Sequence, residues 1–492
     1  MKKIKLDSWI LFFVIATIPF FSGTRQPLVS VLYLFVTFLA AGTWAVLNSK
    51  NLSTRDFTVK PFLILGILAF LVLTTLDLPL AVIEVVSPVR AENLLPAMQP
   101  EQFIKTTSLS YYVPGTQFYA VYGLTLFLLF YFSAALLKNA QNRAILLWIF
   151  VIAGGLEAVY GILQAVFPAA PLPGFPGSSS TEGYPAGTFS NHNHYAAFLN
   201  ICWPVAMVLG ISRIKNLFEK VEVIKIKNKK LFLSDRLGLI FHRALLPFWA
   251  TGIMLAAIIL SRSFTGIVIM FILVLLCRIV IPFQRPIKII LSGAIYSALL
   301  VYGWILGVEG IISRSTLLIH AAQARFSTWT AGLEMLQDHL YSGIGMGAFQ
   351  FMAPFYISQP GTLMDQPLAG SLELAVQLGL PVTLFFLAWL LAGMAVYARS
   401  IYRMPRKIQK MSRDEIIIIG SCFALAGLII NIAAAGLIHT PAMAFYAVLL
   451  LALLHRIMLS IKDTGYTPDY LFLQKKPVNF VPYRKPGRRF RR

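Results

Sequence analysis

Two arginines carry the sharpest chemical signal. Arg262 stands in Leu260-Ser-Arg-Ser-Phe-Thr-Gly266, a very short hairpin between two apolar stretches, and Arg325 stands in Ala324-Arg-Phe-Ser-Thr-Trp329. An arginine at the edge of an apolar span needs an anionic partner, either a carboxylate of the same chain or a ligand. Two guanidinium forks on one membrane face suit a diphosphate, whose oxygens they pair bidentately. Taken singly, each is equally explained by an ion pair within the protein.

Other polar residues supply acid, base or hydrogen-bonding candidates. Glu157 lies in Gly154-Gly-Leu-Glu-Ala-Val-Tyr-Gly-Ile-Leu-Gln164, two turns from Gln164 on one face, and reads first as an interhelical hydrogen bond. His192 and His194 belong to Gly187-Thr-Phe-Ser-Asn-His-Asn-His-Tyr-Ala-Ala197. Their spacing of two, with no carboxylate or cysteine nearby, is poor for a metal, and the Asn and Ser fit a helix entry. Loop structure and substrate contact remain open for this pair. His320, His339, Asp365 and Glu373 lie in or beside one long polar segment. Gly343-Ile-Gly-Met-Gly347 has no preceding strand pattern and reads as a helix stop.

The elements that must hold these groups are membrane helices. Of 492 residues 58% are hydrophobic and 13% charged, half the charge of a soluble chain; mean hydropathy is +0.73. That excludes a soluble enzyme, a disordered chain and a disulfide scaffold. Apolar runs near 9–21, 30–47, 61–76, 119–137, 145–167, 196–211, 245–260, 267–281, 289–307, 371–397, 416–434 and 443–459 predict about twelve transmembrane helices in an all-α polytopic fold. The first run follows Met1-Lys-Lys-Ile-Lys and reads as a retained signal anchor. With a cytoplasmic N-terminus, alternation places 36 of the 42 Lys and Arg residues on the cytoplasmic side and only Arg25, Arg90, Lys105, Arg262, Arg314 and Arg325 outside. That asymmetry predicts both termini in the cytoplasm.

The net charge of +22 thus has a membrane explanation. Basic clusters such as Lys225 to Lys230 and Arg488 to Arg492 sit beside spans, where anionic headgroups attract them, and nucleic acid is not expected as a partner. Residues 1–459 form one membrane domain and 460–492 a basic tail, where a protein partner has room. Three outer segments are long, Asp77 to Phe118, Pro168 to Tyr195 and the large loop 309–370. In the last, Phe326, Trp329, Leu333, Leu336 and Leu340 recur at helical spacing, as in a helix lying on a membrane surface. Cys202, Cys277 and Cys422 lie inside apolar runs and imply neither disulfide nor metal. No internal repeat is evident, which weighs against an inverted-repeat transporter.

Across roughly residues 150–460 the chain resembles the O-antigen ligase and polymerase superfamily of bacterial inner-membrane proteins. The pieces carrying the resemblance are Gly154 to Gln164, Gly187 to Ala197, Leu260 to Gly266, Arg325 to Phe349, Leu372 to Pro381 and His439-Thr-Pro-Ala442, in the family's order. The resemblance implies a fold like the C-type glycosyltransferases, in the bacterial inner membrane. It implies transfer of undecaprenyl-diphosphate-linked glycan to lipid A-core or a growing glycan, by ligation or polymerisation, at the outer face, with no cofactor and no metal. By position, Arg262 and Arg325 match the family's diphosphate-binding arginines. One departure stands out: aligning the family's Glu-Leu-Gly triplet to Gln377-Leu-Gly379 puts Leu368-Ala369 where members usually carry a His-Asn pair whose histidine is held catalytic. Leucine accepts no proton, so Asp365 becomes the first candidate base.

Three classes of function compete: a metal-independent inverting glycosyltransferase, a transporter of small anions or lipid-linked glycan, and a non-catalytic partner in polysaccharide export. The charge asymmetry is directly testable. Single cysteines at Ser179 and Ser358, in a background without native cysteines, are expected to react with an impermeant maleimide added to intact spheroplasts. Protection of either would overturn the orientation.

Overall fold

The computed structural model describes residues 6–22, 27–47, 61–94, 106–167, 184–189, 191–225, 245–281, 326, 328–356, 370–402, 404, 411–435 and 440–464. Arg325, His320, Asp365, Leu368, the expected span 289–307 and most of the basic tail lie outside these residues.

Peptide groups in hydrocarbon have no water to bond, so the apolar runs satisfy themselves as helices. In order these are α1 (Leu6–Ser22), α2 (Pro27–Leu47), α3 (Pro61–Leu73), α4 (Leu80–Val86), α5 (Pro88–Leu94), α6 (Val113–Leu136), α7 (Ala140–Val166), α8 (His192–Lys225), α9 (Leu246–Leu260) and α10 (Phe264–Val280). They continue with α11 (328–338), α12 (Phe349–Tyr356), α13 (Gly370–Leu378), α14 (Leu380–Tyr402), α15 (Arg413–Ala435) and α16 (Pro441–Thr464). Among the described residues, seven helices are long and apolar enough to cross a membrane, and four shorter apolar helices, Ser8–Phe21, Ile64–Leu73, Leu246–Leu260 and Phe264–Val280, fall on further expected spans. The protein is an all-α polytopic membrane protein.

The core is built around α8, whose apolar window is wholly buried. Tyr195, Phe198 and Trp203 are enclosed by α7, α9, α10 and α15. Small residues permit this approach: a Cβ at Gly154 would lie 2.5 Å from the Cys202 Cβ, one at Gly266 would collide with Ala196 and one at Gly420 with Val208. Close backbone contact of this kind is how helices associate in lipid, where no hydrophobic force distinguishes neighbour from solvent.

Hydrogen bonds assign the helix ends. Thr188 bonds Pro19 and Glu157, Ser263 bonds Asn193, and Thr440 pairs with His194. The ends of α1, α7 and α9 therefore meet the starts of α8, α10 and α16. Phe130 and His455, late in α6 and α16, lie 5.6 Å apart, so α6 runs parallel to α16 and also starts at this end. We call it the loop end.

A small subdomain caps the loop end, and most of it is absent from the sequence reading. The stretch expected as an outer loop, Asp77 to Phe118, folds into α4, α5 and a two-rung antiparallel ladder, Leu78 with Thr107 and Pro79 with Thr106, before α6 begins at Val113. Opposite it, α11 and the turn after it bury Thr328, Ala331, Met335 and His339, while Trp329, Leu333 and the preceding Phe326 are exposed. Phe326, Trp329 and Leu333 of the expected stripe are thus turned outward, whereas Leu336 packs inward against the buried cluster and Leu340 is half-buried.

The single expected span 371–397 is two helices, broken at Gly379. Gly379 has φ +81°, and a Cβ there would strike the Tyr341 carbonyl. The carbonyls that α13 leaves free at its end are claimed by the glycine segment: Ile344 N–H donates to Val376 O at 3.0 Å and Gly345 N–H to Gln377 O at 3.1 Å. Leu380 N–H closes the junction on Leu340 O at 2.8 Å. Gly343, Gly345 and Gly347 all adopt positive φ, +63°, +93° and +79°, so the cluster is a docked turn that only glycine forms easily.

Replacing Gly343 by Ala places a methyl against the Gln377 carbonyl at a disfavoured φ, and ~1–3 kcal/mol of local stability should be lost. Faster cleavage of residues 339–379 by added protease is expected, with Gly393→Ala, which has open space around it, cleaving like wild type. Equal rates for both variants would refute the docking role.

Candidate functional site

The described candidates gather at the loop end in two groups. The first surrounds the hairpin between α9 and α10. Ser261 closes α9, its hydroxyl donating to Ile258 O at 2.7 Å; Ser263 opens α10, its Oγ accepting from Gly266 N–H at 3.1 Å. With both serines buried, Arg262 is turned outward at φ 55°. It is the one non-glycine residue at positive φ among the described residues. Such a conformation costs ~1–3 kcal/mol and marks a position held by its surroundings.

Around this arginine stand aromatic and amide groups. The Arg262 guanidinium carbon is 5.5 Å from the Tyr184 ring centroid, and Tyr184 meets His192 edge-on at 5.5 Å. The Ser263 hydroxyl donates to Asn193 Oδ1 at 2.6 Å, and Asn200 Nδ2 donates to Gly266 O at 2.9 Å. His194 Nδ1 lies 3.3 Å from Thr440 Oγ1. The three motifs that sequence reading separated by up to 250 residues therefore share one patch. The histidines hold ring and hydroxyl contacts of their own.

Glu157 is beneath this patch and fully buried. Its two oxygens accept from Thr188 N–H at 3.0 Å and Thr188 Oγ1 at 2.5 Å. Gln164 Oε1 accepts from Ala186 N–H at 3.1 Å and Gly187 N–H at 2.8 Å. Gly187, at φ +60°, has no room for a Cβ between Glu157 and Tyr195. The pair, two turns apart on α7, thus pins residues 184–189, the platform of Tyr184.

The second group joins the glycine turn to α13. Gln377 Oε1 accepts from Gly347 N–H at 2.7 Å and its Nε2 donates to Glu373 Oε1 at 2.9 Å, so buried Glu373 orients the amide that holds the turn. His339, 1% exposed, sits between Ser87 Oγ at 3.2 Å from Nδ1 and Tyr111 Oη at 3.4 Å from Nε2. Arg90 stacks over Tyr111 at 4.1 Å and donates from Nη2 to Ser110 O at 3.1 Å. Arg90, Tyr111 and Ser87 carried no sequence motif; the one sign was that Arg90 is among the few basic residues assigned outside.

Residues 249–387 match the family model described as O-antigen ligase. This match supports the O-antigen ligase superfamily. The matched O-antigen ligase segment contains Arg262, Arg325, His320, His339, Asp365 and Glu373, whereas Glu157, His192 and His194 precede it. The match supports, broadly, an O-antigen ligase or polymerase type of function, a family that implies lipid-linked glycan and polysaccharide acceptor substrates in general. No curated protein matches the chain.

The electrostatics of His339 give a pH signature. Burial lowers its pKa to about 4 from the ordinary 6.5, with Asp338 opposing and Arg90 adding to the shift. The folded loop then binds a proton less readily than the unfolded loop, so its stability is complete above pH ~6.5 and falls as the pH drops towards 4. At ~1.4 kcal/mol per unit the full effect is about 3 kcal/mol. Amide exchange across residues 328–356 of purified protein is expected to accelerate at pH 4.5 relative to 7.5, beyond its intrinsic pH dependence. His339→Gln, which cannot be protonated, should remove most of the excess; an unchanged excess would assign it to another group.

Proposed function

We propose that the protein transfers a glycan from a lipid diphosphate, of the undecaprenyl type, to an acceptor hydroxyl at the outer face of the bacterial inner membrane. The observation carrying this reading is Arg262, held outward at positive φ on a buried double-serine turn within the matched segment. A conformation this unfavourable at a charged residue is consistent with selection for where the guanidinium points.

In the mechanism, Arg262 and Arg325 pair with the diphosphate and neutralise the charge that develops as it departs. The acceptor hydroxyl attacks the anomeric carbon from the opposite face, forming the new glycosidic bond with inversion while the bond to the diphosphate oxygen breaks. The hydroxyl proton passes to a base, for which Asp365 is our assignment, between α12 and α13. It lies three residues before Leu368, whereas Glu373 Oε1 accepts from Gln377 and His339 is enclosed by Ser87 and Tyr111. Lipid A-core or the end of a growing glycan serves as acceptor. Leu368 at the family's usual histidine position favours a second reading, a non-catalytic partner in polysaccharide export.

With purified protein and lipid-linked glycan, Arg262→Lys and Arg325→Lys are each expected to lose about ten- to a hundredfold in turnover, the ~1.5–3 kcal/mol of a charge-assisted hydrogen bond. Arg262→Gly should abolish transfer while raising thermal stability, because glycine relieves the strained φ. Asp365→Asn should lose ~10²–10⁴-fold. Full turnover in the arginine variants would make those residues structural, and full turnover in Asp365→Asn would remove it as base. A well-folded wild type inactive on every plausible donor would favour the export-partner reading.

A further inference from the structure

A turn held at positive φ fixes where the Arg262 backbone points but not where its charge goes. Arginine has several rotatable bonds beyond Cβ, and an exposed one samples many rotamers that a ligand must freeze. Arg262 is exposed. Its turn is anchored to α8 through Ser263, which bonds Asn193 and takes the Gly266 amide. The group that meets the guanidinium is half-buried Tyr184, whose ring centroid lies 5.5 Å from the guanidinium carbon. An aromatic face attracts the cation and takes up none of its N–H donors. Tyr184 can therefore restrict the arginine and leave its fork for an anion.

Tyr184 is itself held from below. Residues 184–189 form neither helix nor strand, yet 186–189 are buried. Gln164 brackets Gly187, its Oε1 accepting from Gly187 N–H at 2.8 Å and its Nε2 donating to Gly187 O at 2.8 Å. Thr188 is fixed next to it, its amide donating to Glu157 and its Oγ1 lying 3.1 Å from Pro19 O. On another side the Tyr184 ring meets His192, at the start of α8, edge-on at 5.5 Å. Two polar residues of α7 thus set the position of an aromatic ring beside the arginine.

We propose that Tyr184 is a positioning residue for Arg262, presented by a strap, residues 184–189, that Glu157 and Gln164 hold in place. The inference rests on the diphosphate role proposed for Arg262 and adds how that role is prepared: the guanidinium meets the lipid diphosphate already restricted in direction. Glu157 and Gln164 then act on the donor without touching it.

Two readouts test this on the purified full chain. The first needs no substrate: phenylglyoxal labelling of Arg262, followed by peptide mass spectrometry. Labelling is expected to quicken about two- to fivefold in Tyr184→Leu and in Gln164→Met, the worth of an exposed cation–ring contact. Tyr184→Phe, which keeps the ring, should restore the wild-type rate, and Tyr402→Leu, 83% exposed in the last turn of α14, should change nothing. The second readout is binding of undecaprenyl diphosphate in nanodiscs. It should weaken by the same factor in Tyr184→Leu and Gln164→Met, with no further loss when either is combined with Arg262→Gln. Unchanged labelling in Tyr184→Leu or Gln164→Met, or an equal loss of binding in the Arg262→Gln background, would overturn the positioning role. Wild type that binds undecaprenyl diphosphate no better than undecaprenol, with labelling shifted as expected, would overturn the diphosphate reading and leave the hold of Tyr184 on Arg262 standing.

Discussion

Every peptide group inside the bilayer must find its partner within the protein, and the rest of this structure follows from where that demand is met without a helix. Three places at the loop end break helical bonding: residues 184–189, the Arg262 hairpin and the Gly343 to Gly347 turn against Gly379. Each is closed by side chains or by the free end of a helix. Gln164 and Glu157 take the amides of the first, Ser261 and Ser263 bond the second, and α13 offers its carbonyls to the third. Irregular backbone at this depth is tolerated where it is enclosed by protein, and here it coincides with the chain's polar candidates.

The same constraint separates positioning from presenting. Glu157 and Gln164 direct their hydrogen bonds to Ala186, Gly187 and Thr188, and Gln377 joins Glu373 to the Gly347 amide. Arg262, by contrast, is the charged group projecting from a rigid turn, with an aromatic ring as its neighbour.

The capping subdomain depends on a neutral interior. His339 directly follows α11, Tyr111 lies on the approach to α6, Ser87 joins α4 to α5 and Arg90 lies in α5, so their contacts tie two segments more than 200 residues apart. A buried imidazole beside a buried guanidinium is tolerable only uncharged, the direction in which burial drives it. The tie between these segments is thereby conditional on pH.

Amino-acid order alone determined the all-α membrane class, the positions of most described membrane helices and Arg262 as the charged residue of a short hairpin between two of them. These depend on local hydropathy and on the cost of charge in lipid, which need no knowledge of neighbours. Tertiary structure decided what depends on distant partners. The break at Gly379 was invisible because residues 371–397 are apolar throughout, and a helix end is chosen there by the amides of residues 344 and 345, some thirty positions earlier. The glycine cluster read as a simple stop because its partner carbonyls are not encoded nearby. Arg90 and Tyr111 were silent because a polar cluster assembled from three segments has no spacing to read. Long-range pairing of buried polar groups is a property of the fold, and composition and periodicity do not report it.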